Sequence, residues 1–148
     1  MAKVAHSTPM LHVASIERTI AFYEKLGFRL IDDDGCRPVG WARMHCASGE
    51  IMFLRAEHKI EATKQGFFFY LYTPELEVLR EELFMQGITA SEIRHPPYMP
   101  SGAMSLIDPD GYRIEVGQWG EIEQAKWEQH LVNRATVLKM ALRPGGGT

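Results

Sequence analysis

The stretch "DPDGYRIEVGQW", Asp108 to Trp119, decides how the rest of the chain is read. Its first four residues have the composition of a tight turn, with proline after the leading aspartate and glycine at the end. A strand-like run follows, and Glu115 stands in its middle between Ile114 and Val116. Side chains alternate faces along a strand, so this carboxylate either meets water or points into a cleft where it binds something.

Working backwards from the turn, Ala103 to Ile107 and Ile88 to Arg94 read as two more strands, and Tyr112 to Trp119 as the strand that carries Glu115. Before them, "ELEVLREELFMQ" has helical periodicity. Thr73–Pro74 supplies a cap and a proline for the first helical position, and Gly87 stops the helix. "FFFYLYT", Phe67 to Thr73, is the strand ahead of it.

The same order appears earlier in the chain. Lys3 to Val13 reads as a strand, with Pro9 marking an edge or a bulge. Ser15 caps a helix in "SIERTIAFYEKLG" that ends at Gly27. Strands are expected at Phe28 to Ile31, Gly40 to Cys46 and Glu50 to Leu54. The helix-bearing stretches Ser15 to Gly27 and Glu75 to Gly87 are equal in length, and each has one strand before it and three after. This is an internal repeat, strand–helix–strand–strand–strand.

The expected fold class is therefore α+β: two paired βαβββ modules, about 3–57 and 66–119, forming an open, curved mixed sheet around a cleft in a single domain. A C-terminal amphipathic helix follows at about 121–142. Trp127, Leu131, Ala135, Leu138 and Leu142 form its apolar stripe, which is expected to pack on the domain or on a partner subunit. "RPGGGT" reads as a frayed tail.

Composition limits the function classes. Hydrophobic residues at 45% and charged residues at 24% fit a globular protein rather than a disordered one. With 16 Lys and Arg against 19 Asp and Glu, there is no basic excess to suggest nucleic acid. No apolar run approaches the roughly 20 residues of a membrane span. Cys36 and Cys46 are read as reduced thiols in a cytoplasmic protein, since "MAKVAHSTPM" has no apolar core of a secretory signal. Phosphate-loop, dinucleotide, nucleophile-elbow and CxxC motifs are missing.

The segments "HVASIERTIAFYEKLGF" and "DPDGYRIEV", with the repeat, resemble the vicinal oxygen chelate superfamily, which includes glyoxalase I, extradiol dioxygenases and the fosfomycin- and bleomycin-resistance proteins. The resemblance spans Val4 to about Trp119. It implies paired modules around a cleft, often completed in a homodimer. In catalytic members a divalent metal binds there through His or Glu side chains and activates two neighbouring substrate oxygens. Matched residue by residue, the implied ligand positions fall on Thr8, on Met52 or a neighbour, on Phe68 and on Glu115. Only Glu115 is a metal ligand by type.

The cleft that remains is aromatic. If Phe68 faces it, Tyr70 and Tyr72 do too. Arg113 and Trp119 share the parity of Glu115, Met104 and Leu106 are expected across the hairpin, and Trp41 and Arg43 are expected to reach the same space. Arg43, Arg113 or His12 are candidate partners for Glu115, and Tyr98 in the proline-rich loop "RHPPYMPSG" is a candidate wall. The expected ligand-binding set is Thr8, His12, Trp41, Arg43, Met52, Phe68, Tyr70, Tyr98, Met104, Glu115 and Trp119. It implies metal-free sequestration of a small aromatic or apolar molecule by a homodimer, with no cofactor, nucleic acid or membrane partner. The alternative is an enzyme of the glyoxalase, lyase or dioxygenase kind. It would use Glu115 as general base, or a divalent metal held by a rearranged set from His6, His12, His45, Glu50 and Glu115.

Overall fold

The computed structural model of the chain describes residues 4–64 and 66–143. Lys3, expected to open the first strand, and residues 144–148 of the expected tail lie outside the described residues.

The first module runs β1 (Met10–Val13), α1 (Ile16–Lys25), β2 (Arg29–Asp33), β3 (Trp41–His45) and β4 (Glu50–Arg55). Its four strands lie in the order β1-β4-β3-β2, with β1 parallel to β4 and the other pairs antiparallel. The second module runs β5 (Phe68–Thr73), α2 (Leu76–Met85), β6 (Ala103–Ile107) and β7 (Arg113–Gln118), in the order β5-β7-β6. A C-terminal helix, α3 (Glu121–Leu142), follows. Two mixed sheets and three helices make the α+β architecture that the repeat predicts.

Ser15 caps α1 as expected, its hydroxyl accepting from the Arg18 amide at 3.3 Å. The start of α2 differs. Pro74 stays outside the helix, because the Gln118 side chain holds both sides of the junction. Its Oε1 accepts from the Leu76 amide at 3.0 Å and its Nε2 donates to the Pro74 carbonyl at 2.7 Å. Expected strand Ile88 to Arg94 also differs. It touches β6 at the Arg94–Ala103 bridge and through the Ser91 amide, but no continuous ladder forms. Side chains take the hydrogen bonds a ladder would use: Ser91 Oγ accepts from the Ser105 amide at 2.9 Å, and Arg80 Nε donates to the Ser91 carbonyl at 2.9 Å.

The two modules share one core. Residues on the helix side of both sheets, among them Leu11, Val13, Met44, Phe53, Met104, Ile114 and Val116, form a single buried cluster. Tyr23 of α1 is at its centre, packed edge-on to Phe28 and Phe69 and tilted against Phe53. The "DPDG" turn locks the modules together. Asp108 accepts the Tyr23 hydroxyl at 3.1 Å and the amides of Asp110 and Tyr112 at 2.9 Å. Asp110 accepts the Ala14 amide at 3.0 Å and pairs with Arg18 at 3.2 Å. Gly111 has φ +94°, a conformation that strains residues with a Cβ, and so allows the chain to reverse directly into β7.

The helix α3 does not bury its stripe within this chain. Leu131, Leu138 and Leu142 are exposed, and none of its residues is fully buried. Its first turn is anchored, since Glu123 accepts from the Ser101 hydroxyl at 2.9 Å and the Gly120 amide at 3.0 Å. No helix among the described residues is long and apolar enough to cross a membrane.

Candidate functional site: an aromatic cleft with a paired carboxylate

Strand register fixes what shares the open face of the second sheet. Phe68, Tyr70 and Tyr72 of β5 lie opposite Arg113, Glu115 and Gly117 of β7, which lie opposite Ile107, Ser105 and Ala103 of β6. The alternate residues Phe69 and Leu71 pack against the core. The aromatic ladder is left open: Phe68, Tyr70 and Tyr72 are 43%, 50% and 49% exposed. Phe68 and Tyr70 pack at 5.1 Å between ring centroids, and the Arg113 guanidinium lies 5.7 Å over Phe68. Tyr72 meets Trp119 edge-on at 5.5 Å, and Trp119 meets Trp127 at 6.0 Å.

Glu115 points into this face and is buried there. Ser105 Oγ donates to its Oε1 at 2.9 Å, and Arg94 Nη2 lies 3.4 Å from Oε2. Arg113 is at the edge of reach, 4.0 Å from Oε1. The carboxylate is thus ion-paired and hydrogen-bonded by residues of its own module. Arg113 was expected as a partner. Arg43 and His12 do not contact it, and Arg94 and Ser105 take their place.

On the first sheet Met52 pairs in register with Arg43, Leu54 with Trp41, and His12 with Leu54. Thr8 Oγ1 donates to Glu50 Oε2 at 3.1 Å, Arg43 lies 3.8 Å from the same oxygen, and Arg43 Nη2 contacts the Met52 sulfur at 3.5 Å. His12 packs edge-on to His58 at 5.4 Å. His45 lies opposite Glu50 in the ladder, as the turn between them predicts.

Of the residues expected in the cleft, Met104 and Leu106 lie elsewhere. Met104 pairs with Val116, not with Glu115, so it points to the helix side, where it is wholly buried in the core. Leu106 follows it there. Tyr98 is 60% exposed, and its loop instead sets Met99 on the sheet, 3.2 Å from where a Cβ on Gly117 would lie.

A pocket of about 540 Å³ lies at the seam between the modules, within the size range of small-molecule sites. Strands β1 and β5 are edge strands of their sheets. Pro9, Glu50 and Ile51 line the seam from one side, and Tyr70, Leu71 and Tyr72 from the other. Trp119, Trp127 and Arg134 also line it.

A family model described as Glyoxalase/Bleomycin resistance protein/Dioxygenase superfamily matches residues 3–116. The chain belongs to that superfamily. Among curated proteins no sequence match is found. Solved structures with the same fold include a bleomycin-binding protein complexed with bleomycin, at 21% identity and TM-score 0.63, covering 79% of this chain and 100% of that one. A bleomycin resistance determinant encoded on the transposon Tn5 has 21% identity and TM-score 0.62, covering 78% and 98%. A mutant of the fosfomycin resistance protein FosX from Listeria monocytogenes, complexed with Mn(II) and a dihydroxypropylphosphonic acid, has 14% identity and TM-score 0.64, covering 82% and 96%. At these identities the likeness establishes the fold, and one fold of this kind hosts many chemistries.

The superfamily's metal does not fit the residues present. At the implied positions, the Thr8 hydroxyl is engaged with Glu50, Met52 offers a thioether beside a guanidinium, Phe68 has no donor atom and Glu115 is ion-paired. Hard and borderline divalent ions need several oxygen or nitrogen donors converging on one point. Among the described residues no three His, Cys, Asp or Glu side chains form such a group. The rearranged set from His6, His12, His45, Glu50 and Glu115 is therefore not brought together. Sequence reasoning missed Arg94, Ser105, Trp127 and Arg134 as neighbours of the cleft, because their places depend on tertiary packing and not on any motif.

Proposed function

We propose that this chain binds a small aromatic or apolar molecule in the cleft, without a metal, and does so as a homodimer. The observation that carries the reading is the open ladder of Phe68, Tyr70 and Tyr72, continued by Trp119 and Trp127 into the seam pocket. Rings left half-exposed along one sheet face are costly in water and gain by stacking on a flat partner or by being covered. A second copy over the open face would enclose a ligand between aromatic walls. Thr8, His12, Trp41, Arg43 and Met52 would then contribute from the first sheet, and Glu115 and Trp119 from the second. Sequestration needs only affinity, and the free thiols of Cys36 and Cys46 suit a reducing cytoplasm.

An enzymatic role for Glu115 is the weaker reading. A general base needs an unengaged carboxylate within reach of a substrate proton, and Arg94 and Ser105 occupy this one. The test is calorimetric titration of aromatic compounds into chelator-treated protein. Saturable binding at one site per chain without turnover is expected. Turnover lost in Glu115→Gln while binding persists would overturn the proposal.

A further inference from the structure

The helix α3 begins beyond residue 116, where the superfamily match ends, yet it reaches the seam pocket. Trp127 stands edge-on to Trp119 at 6.0 Å and 76° and extends the aromatic wall by one ring. The geometry is held from both sides. Trp119 Nε1 donates to Gln124 Oε1 at 2.8 Å, Gln124 Nε2 donates to Glu128 at 2.8 Å, and Ser101 anchors Glu123.

Two turns further along, the Arg134 guanidinium lies 5.8 Å from the centre of the Trp127 ring. Among the described residues no carboxylate lies within ion-pair distance of it. One other charged residue lines the pocket, Glu50, whose Oε2 accepts from Thr8 and lies near Arg43. Glu115 is already paired with Arg94. The pocket is thus bordered by aromatic rings set edge to face and by a planar cation left without an ion pair among the described residues, since the carboxylates near it are already engaged.

We propose that α3 makes this pocket selective for planar aromatic acids, with the rings of the ligand against Tyr72, Trp119 and Trp127 and its carboxylate on Arg134. The inference rests on the binding role proposed above and names its ligand class. A guanidinium over an indole is partly shielded from water and keeps its in-plane N–H donors for a bidentate acid. A neutral ligand of the same shape gains the stacking but not the ion pair.

Naphthoate and naphthamide share one ring system and differ in charge, so calorimetric titration of both into the full chain isolates the contribution of Arg134. Naphthoate is expected to bind about fivefold more tightly, the upper end for a pair at an exposed side chain. Arg134→Gln should remove that preference, so that the variant binds naphthoate no more tightly than it binds naphthamide, while Trp127→Leu should weaken both ligands. Circular dichroism checks that each variant is folded. Equal affinity of the wild type for the two ligands, or a preference that survives Arg134→Gln, overturns the acid selectivity and leaves the cleft reading standing. Binding of neither ligand overturns both.

Discussion

Arg94 Nη2 lies 3.5 and 3.4 Å from the two carboxylate oxygens of Glu115. The arginine comes from the segment between α2 and β6, and the carboxylate from the middle of β7. Where the superfamily resemblance puts a metal ligand, this chain has an ion pair, half-exposed on the arginine side and buried on the carboxylate side.

That pair predicts coupled stabilities. Arg94→Ala leaves a buried carboxylate with Ser105 and a distant Arg113, and should cost about 1–2 kcal/mol, less than a fully buried pair because Arg94 is half in water. In a Glu115→Gln background most of that cost should vanish. Urea denaturation of the four proteins in this cycle gives the coupling, and strict additivity would contradict it.

Gly117→Ala probes the ladder from beneath. An added Cβ would lie 3.1 Å from two carbons of the Tyr72 ring and 3.2 Å from the Met99 sulfur. Both neighbours are side chains that can yield by a few tenths of an ångström, so the protein should fold with a loss of about 1 kcal/mol. Displacing Tyr72 should weaken naphthamide binding severalfold. Affinity at the wild-type value would place the ligand away from Tyr72.

Asp108 predicts a pH effect with a definite sign. Burial raises its pKa, against the hydrogen bonds from the Tyr112 and Asp110 amides and from Tyr23 that lower it. A carboxyl whose folded pKa lies above its unfolded value, about 3.9, adds stability below the unfolded value and loses it as pH rises through the folded one. Asp108→Asn removes that loss. The stability of the variant relative to wild type should therefore climb from about pH 4 upward in urea titrations, and a flat or falling difference would contradict the assignment.

Tyr70 is half-exposed in the single chain, so Tyr70→Asp should leave the monomer folded. If a second copy covers the ladder, a charge there should weaken association at least about tenfold. Sedimentation velocity would show the shift to monomer. A wild type that stays monomeric at high concentration would rule out the dimer.

Much of the fold was legible because it rests on local signals. Ser15 and Gly27 bound α1, Gly87 ends α2, and the alternation in "FFFYLYT" sorts Phe68, Tyr70 and Tyr72 from Phe69 and Leu71. What failed depends on partners distant in sequence. The face of Met104 depends on which residue of β7 it opposes, and the register sets Val116 there and not Glu115, so the expectation that it lines the cleft fails. Ile88 to Arg94 has strand composition, but Arg80 and Ser91 take up its hydrogen bonds. Arg94 as the partner of Glu115 carries no motif at all. The helix α3 was legible as an element, but its apolar residues are spread around it and exposed instead of forming one buried stripe, and its use of Trp127 and Arg134 at the seam depends on where Gly120 directs the helix.

The most direct test of the central claim is a calorimetric titration of naphthamide into chelator-treated protein, repeated after loading with Mn(II), Ni(II) or Zn(II). Saturable binding with the same Kd in every case is the predicted result. Binding that appears only once a metal is supplied would contradict an aromatic cleft that works without one.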